Sequence, residues 1–167
     1  MSKCIICFAE HNRLYGDQPA MYCDPCAAIK KDSVDVISQI TDTLFLSGMQ
    51  AAGKFDGHRL CVHEMTPTYE GHYHHIPILS RRPNSKTDRT GAVVNMGQLD
   101  VAVETIEWYV EHKQPLLVHC FGGVERSPLT LAAYFVRSKT CASWEEAYAL
   151  LKSKRPVVSE RLFWLPS

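Results

Sequence analysis

The sequence predicts an α/β fold, in which helices flank a central sheet, preceded by a small cysteine-rich unit. From about residue 34 onward, short apolar runs typical of strands alternate with segments of helical periodicity. Residues 1–31 instead carry four cysteines and too few large apolar side chains to fold by burial alone. We therefore expect two units, at residues 1–31 and 34–167.

Four segments have the composition of short strands. They are residues 44–47, 59–63, 75–79 and 116–119. The last of them, Leu-Leu-Val-His, is the most apolar, so we expect it to be the most buried.

Three segments are predicted to be helices. The first lies before the fourth strand and places four apolar residues on one face: Leu99, Val103, Ile106 and Val110. We expect Trp108 and Tyr109, on the same helix, to pack in the core. A second helix is predicted over residues 128–136. A third begins at Ser143, which forms a capping-box pattern with Glu146.

Residues 80–90 are polar and have a proline in the middle, so they fit neither a helix nor a strand. We expect a surface loop here. A loop of this length in a compact domain is often functional.

Composition argues against several classes of protein. The chain has 18 basic and 18 acidic residues, whereas a dedicated nucleic-acid or membrane binder usually has a basic excess. No apolar run approaches the roughly 20 residues that span a bilayer. The N-terminus lacks the pattern of a signal peptide. Seven cysteines, four of them in two C-x-x-C pairs, suit a reducing, cytoplasmic environment better than a disulfide framework.

The fourth strand runs directly into Cys120, a glycine pair and Arg126, where a helix begins. Unpaired amides at a helix N-terminus attract anions, and Gly122 and Gly123 let the backbone turn its amides inward. The same field lowers the pKa of a cysteine, so we expect Cys120 to be a thiolate nucleophile. Arg126 can bind two phosphate oxygens with its planar guanidinium. Ser127 can donate a hydrogen bond to the thiolate.

The motif His119-Cys-x-x-Gly-x-x-Arg126-Ser127 resembles the signature of protein tyrosine phosphatases, specifically the dual-specificity branch. The resemblance extends over about residues 36–165, with weaker matches at 40–48, 75–79, 143–147 and 154–158. It implies a dual-specificity phosphatase-like fold, a two-step mechanism, a phosphorylated protein as substrate and no metal in catalysis. The residues of the phosphate-binding loop are then Phe121, Gly122, Gly123, Val124 and Glu125.

The resemblance also implies an aspartic acid that protonates the leaving oxygen. The family often has this aspartate directly after the strand at 75–79, where this chain has Ser80. Asp88 lies 32 residues before Cys120, similar to the family's separation, and falls in the polar loop. We therefore predict Asp88 as the general acid. By the same resemblance, His119 orders the loop backbone and helps to hold the thiolate.

Glu125 is unusual because a carboxylate beside a phosphate site weakens the binding of a dianion. We expect Glu125 to face solvent or to pair with an arginine of the 81–89 segment.

The N-terminal cysteines form two C-x-x-C pairs separated by fifteen residues. The predicted ligands are Cys4, Cys7, Cys23 and Cys26. This spacing fits a four-thiolate structural zinc site, whose metal would supply most of the unit's folding energy. Two unrelated thiol pairs or a redox site are the alternatives.

The sequence favours a phosphatase for phosphotyrosine, with or without phosphoserine and phosphothreonine. A phosphoinositide or RNA 5′-phosphate phosphatase is an alternative, although residues 121–125 lack the lysines that a highly charged substrate favours. A phospho-binding adaptor with weak catalysis is another, on the strength of Ser80. We expect the histidines of 72–75 to be ordinary strand residues, because neighbours on a strand point to opposite faces. Cys61 could pack behind the active site.

Overall fold

The computed structural model describes residues 36–167 and two short antiparallel strands near the N-terminus, β1 (Ser2–Lys3) and β2 (Glu10–His11). In sequence, Cys4 and Cys7 fall between these two strands. All four cysteines of the predicted zinc unit lie outside the described residues. The zinc site therefore stays a prediction.

Residues 36–167 confirm the α/β prediction, and their central sheet has five strands. They are β3 (Ser38–Gln39), β4 (Leu44–Ser47), β5 (His58–Cys61), β6 (Tyr73–His75) and β9 (Leu116–His119). The spatial order is β3-β4-β9-β5-β6, with β4, β9, β5 and β6 parallel and β3 antiparallel. The central strand β9 is buried along its whole length, as its composition predicts.

The carboxyl ends of the parallel strands meet at one edge of the sheet. Ser47 at the end of β4 and Cys61 at the end of β5 both align with His119 at the end of β9. Ligand sites of open α/β sheets form at this edge. Cys120 directly follows β9 there.

Within residues 36–167, four α-helices and one short 3₁₀ helix flank the sheet. They are α1 (Met49–Ala52), α2 (Met96–Glu111), α3 (Arg126–Arg137), α4 (Trp144–Lys154) and the 3₁₀ helix Leu162–Trp164. The predicted face of α2 packs into the core, with Leu99, Val103 and Ile106 almost fully buried. Tyr109 is buried in the core as expected, whereas Trp108 packs on the surface: half of it faces solvent, and its ring stacks on His112 at 4.0 Å.

The predicted strand at residues 75–79 is divided between two sheets. Ile76 and Ile78 still donate to the carbonyl oxygens of Cys61 and Val62, whereas Leu79 pairs with Val94. Strand β6 ends at His75, and a separate strand β7 (Leu79–Arg81) pairs antiparallel with β8 (Val93–Val94). Pro77 lies between the two strands and has no amide proton to give to a sheet. The predicted surface loop consequently starts later, and we call residues 82–92 the acid loop.

The N-terminus of α4 follows only half of its predicted capping box. The Ser143 hydroxyl accepts a hydrogen bond from the Glu146 amide at 3.2 Å, as expected. The Glu146 carboxylate, however, accepts from the Ala142 amide at 2.7 Å rather than from Ser143. Across the described part of the chain, no helix combines the length and apolarity needed to cross a membrane.

Candidate active site

The segment from Cys120 to Arg126, called here the Cys120 loop, connects β9 to α3. Gly123 has a φ of 64°, and a Cβ atom at this position would lie 2.5 Å from the backbone of Ser47. A Cβ atom on Gly48 would lie 2.8 Å from the Phe121 carbonyl oxygen. Both positions therefore require glycine, because the Cys120 loop packs directly against the end of β4.

Cys120 is almost fully buried at the base of this loop. The Ser127 hydroxyl donates a hydrogen bond to its Sγ at 3.2 Å, as the sequence predicts. Burial alone disfavours the thiolate. The positive charge of Arg126 and hydrogen bonds from Ser127 and the loop amides outweigh that effect, so the pKa of Cys120 lies below its ordinary value. The arrangement favours the ionised, nucleophilic form of the thiol.

His119 links the Cys120 loop to Tyr69, a residue that the sequence analysis missed. The Nδ1 atom of His119 lies 3.1 Å from the Cys120 carbonyl oxygen. Because a carbonyl oxygen can only accept a hydrogen bond, Nδ1 carries the proton. Its Nε2 then accepts from the Tyr69 hydroxyl at 2.5 Å. Burial lowers the pKa of His119 to about 4, so the ring is neutral at physiological pH. The contacts of His119 with the Cys120 carbonyl group and with Tyr69 are therefore hydrogen bonds of a neutral ring.

Arg155, just after α4, is a second residue that the sequence did not single out for the site. It is 1% exposed and donates to the carbonyl oxygens of Gly123 at 2.9 Å and Gly122 at 3.2 Å. It also donates to the Val36 carbonyl and the Ser38 hydroxyl. Arg155 thereby fixes the backbone of the Cys120 loop from behind.

Glu125 pairs with an arginine of the predicted segment, as expected. Arg89 of the acid loop contacts both carboxylate oxygens, with Nε 2.8 Å from Oε1. Arg161 donates from Nε to the same Oε1 at 2.8 Å. Trp164 completes this group by donating from its indole nitrogen to the Arg89 carbonyl at 2.7 Å. The negative charge of Glu125 is therefore offset by two cations, and it ties the acid loop to the Cys120 loop.

Arg126 is 8% exposed and has a second acidic neighbour, Glu64, which the sequence analysis did not identify. The Nε of Arg126 lies 3.1 Å from Glu64 Oε2, and its Nη2 donates to Oε1 at 3.2 Å. Its Nη1 lies 4.0 Å from Glu125 Oε2. Two carboxylates therefore flank the guanidinium that the sequence assigns to phosphate.

Asp88 is exposed, and its carboxylate accepts hydrogen bonds from within the acid loop. The donors are the Thr90 hydroxyl at 2.6 Å, the Thr90 amide at 3.0 Å and the Asn84 side-chain amide at 3.1 Å. The hydroxyl bond is the main cause that lowers the pKa of Asp88. Its role as general acid stays a prediction. The structure does place it next to Arg89, the residue that holds this loop against the Cys120 loop.

The remaining candidates have ordinary structural surroundings. His74 of β6 bonds to the Tyr109 hydroxyl at 2.9 Å, and no group of three or more metal-binding side chains occurs within the described ranges. Cys61 is fully buried at the end of β5. Burial raises the pKa of its thiol to about 11, so it is not a nucleophile at neutral pH.

Comparisons with known proteins identify the family of this chain. A family model described as dual specificity phosphatase, catalytic domain, matches residues 60–165. The chain belongs to this family. It is 36% identical over 67 residues to the human dual specificity protein phosphatase 16, a match covering 40% of this chain and 10% of that protein. The chain thus corresponds to only a small part of this relative's length.

Solved structures of dual specificity phosphatases share the fold. DUSP15 aligns with a TM-score of 0.62 at 18% identity, covering 78% of this chain and 83% of that one. Human DUSP28 aligns with a TM-score of 0.60 at 21% identity, covering 77% and 86%. A mouse putative dual specificity phosphatase, complexed with zinc tungstate, aligns with a TM-score of 0.60 at 24% identity, covering 78% and 82%.

The Arg89–Glu125 pair should contribute measurably to stability. In a double-mutant cycle with Arg89→Ala and Glu125→Ala, we expect a coupling energy of about 1–3 kcal/mol in urea unfolding, because both side chains are largely shielded from water. The matched control is the Arg137–Glu107 pair, whose side chains are 43% and 30% exposed. Its coupling should be at most about 0.5 kcal/mol. Equal coupling energies in the two cycles would contradict a stabilising ion pair between the acid loop and the Cys120 loop.

Proposed function

We propose that this protein is a cysteine-dependent protein phosphatase that forms a cysteinyl-phosphate intermediate. The observation that carries the proposal is the buried Cys120 thiol with a lowered pKa, held by Ser127 in the loop that ends at Arg126. A phosphate bound in this loop would meet inward-turned amides and the positive end of α3.

In the first step the Sγ of Cys120 attacks phosphorus, an S–P bond forms, and the bond from phosphorus to the leaving oxygen breaks. The leaving oxygen takes a proton, which we assign to Asp88. In the second step water attacks phosphorus, gives a proton back to the same carboxylate, and the thiolate leaves. Ser127 stabilises the departing thiolate through its hydrogen bond, while Arg126 and the loop amides offset charge on the equatorial oxygens.

The proposed substrates are phosphotyrosine residues in proteins, with or without phosphoserine and phosphothreonine. Membership of the dual specificity family supports this choice. The loop residues 121–125 include no lysine and one carboxylate, which disfavours polyanionic substrates such as phosphoinositides. The mechanism needs a reduced thiol at Cys120, so we also propose a reducing, cytoplasmic setting.

Turnover of an aryl phosphate should depend on Cys120. We expect the wild-type protein to hydrolyse p-nitrophenyl phosphate without added metal, with inhibition by vanadate. Cys120→Ser should remove this activity, while Cys141→Ser, which changes a buried cysteine in the segment between α3 and α4, should retain it. Activity that persists in the Cys120 variant would exclude the thiolate mechanism.

Replacing Asp88 tests the general acid. Asp88→Asn keeps an oxygen that can accept from Thr90, so the acid loop should stay folded, but it cannot give a proton. We expect kcat to fall about 10²–10⁴-fold, the usual contribution of general acid catalysis. Asp56→Asn, an exposed aspartate outside the site, is the control. An unchanged kcat in Asp88→Asn would assign the proton transfer to another group.

We further propose one structural Zn²⁺ held by Cys4, Cys7, Cys23 and Cys26. Four thiols are the donor set that structural zinc prefers, and they leave no open position for catalysis. Zinc analysis of the purified protein should give one metal per chain, and Cys4→Ser with Cys7→Ser should abolish it. The control variant is Cys61→Ser, which changes a cysteine of β5 outside the predicted zinc site and should keep the metal. A metal-free wild-type protein with normal folding would refute the site.

A further inference from the structure

The guanidinium of Arg126 has two edges through which it can bind an anion, and each already faces a carboxylate. Glu64 lies on the edge formed by Nε and Nη2, with contacts of 3.1–3.3 Å. Glu125 lies towards Nη1, at the longer distance of 4.0 Å. The closer of the two pairs is thus the one made by Glu64.

The two carboxylates differ in how firmly they are held. Glu125 is bound by Arg89 and Arg161 in addition to Arg126, so it has its own partners whether or not a phosphate is present. Among residues 36–167, Glu64 has Arg126 as its only arginine or lysine partner. Its other contact is His63 Nε2 at 3.4 Å. Burial, followed by the charge of Arg126, lowers the pKa of His63 to about 4, so at neutral pH that ring is uncharged.

Glu64 also lies outside the helices and strands. It belongs to the segment between β5 and β6, which has no helix or strand of its own. The side chain is 11% exposed, and its buried Oε2 has no hydrogen bond of good geometry among the described residues. A carboxylate in this state is held mainly by the ion pair with Arg126. Another anion that approached the Nε–Nη2 edge of Arg126 would therefore compete directly with the Glu64 carboxylate.

We propose that Glu64 is a specificity-determining residue that competes with the substrate phosphate for the Nε–Nη2 edge of Arg126. A carboxylate and a phosphate both offer two oxygens to this planar edge, and only one can occupy it. The proposal rests on the function proposed above, because it assumes that Arg126 binds phosphate. It implies that substrate binding displaces Glu64, and that each additional negative charge on a substrate meets further repulsion from it.

The test measures phosphate binding without turnover. In the Cys120→Ser background, the dissociation constant of inorganic phosphate is measured by titration calorimetry with and without Glu64→Gln. Glutamine keeps the shape of the side chain but removes its charge. We expect binding to tighten about tenfold, the effect of removing one closely placed like charge. Glu111→Gln, at the end of α2 and exposed, is the control and should leave the constant unchanged.

A second readout uses the active protein with Cys120 in place. If Glu64 competes with substrate, Glu64→Gln should lower KM for p-nitrophenyl phosphate, and kcat should change less than KM. If the Gln variant does not fold, as judged by thermal unfolding, Glu64→Met replaces it with the same expected result.

The outcomes separate the two proposals. If phosphate binds the reference protein but Glu64→Gln binds it equally or more weakly, competition is wrong and Glu64 instead orients Arg126 or plays no part. If neither protein binds phosphate and the wild-type protein hydrolyses no ester, the phosphatase function itself fails, and the inference fails with it.

Discussion

The hydrogen bonds from Arg155 to the carbonyl oxygens of Gly122 and Gly123 are the constraint on which the site depends. A loop can present its amides to an anion only if its carbonyl groups point the other way and have donors there. Arg155 supplies those donors from a buried position, and the close packing of Gly123 on Ser47 fixes the loop from the adjacent strand. The backbone of the Cys120 loop is therefore held in place by contacts within the protein itself.

Charge within the site is balanced in a way that the net charge of the chain does not reveal. The thiolate of Cys120 needs the nearby positive charge of Arg126, because burial opposes its ionisation. Two carboxylates lie beside the same arginine, and only one of them is neutralised by other arginines. The site thus has enough positive field to hold a thiolate, but its affinity for phosphate is limited by Glu64.

The sequence predicts the parts of this structure that local patterns determine. These parts are the helical face of α2, the junction between β9 and α3, and the contacts of Ser127 and Glu125. Each follows either from residues close together in the chain or from a requirement of charge. Tyr69, Glu64 and Arg155 could not be predicted in this way, because tertiary packing brings them to His119 or to the Cys120 loop across 32 to 62 residues of sequence. The strand predicted at 75–79 is divided between two sheets, because the chain passes there from the end of β5 to β8 as its pairing partner.

The acid loop is where these constraints meet. Its Asp88 makes all of its observed hydrogen bonds within the loop, and those from Thr90 lower its pKa. If Asp88 is the proposed general acid, its carboxylate must therefore gain a proton before it can give one. A bound phosphate dianion can supply the repulsion that raises its pKa. Arg89, the next residue, donates to Glu125 and so holds the acid loop beside the Cys120 loop. Substrate binding would then act on two carboxylates at once, displacing Glu64 from Arg126 and favouring the protonated form of Asp88 without releasing the loop that carries it.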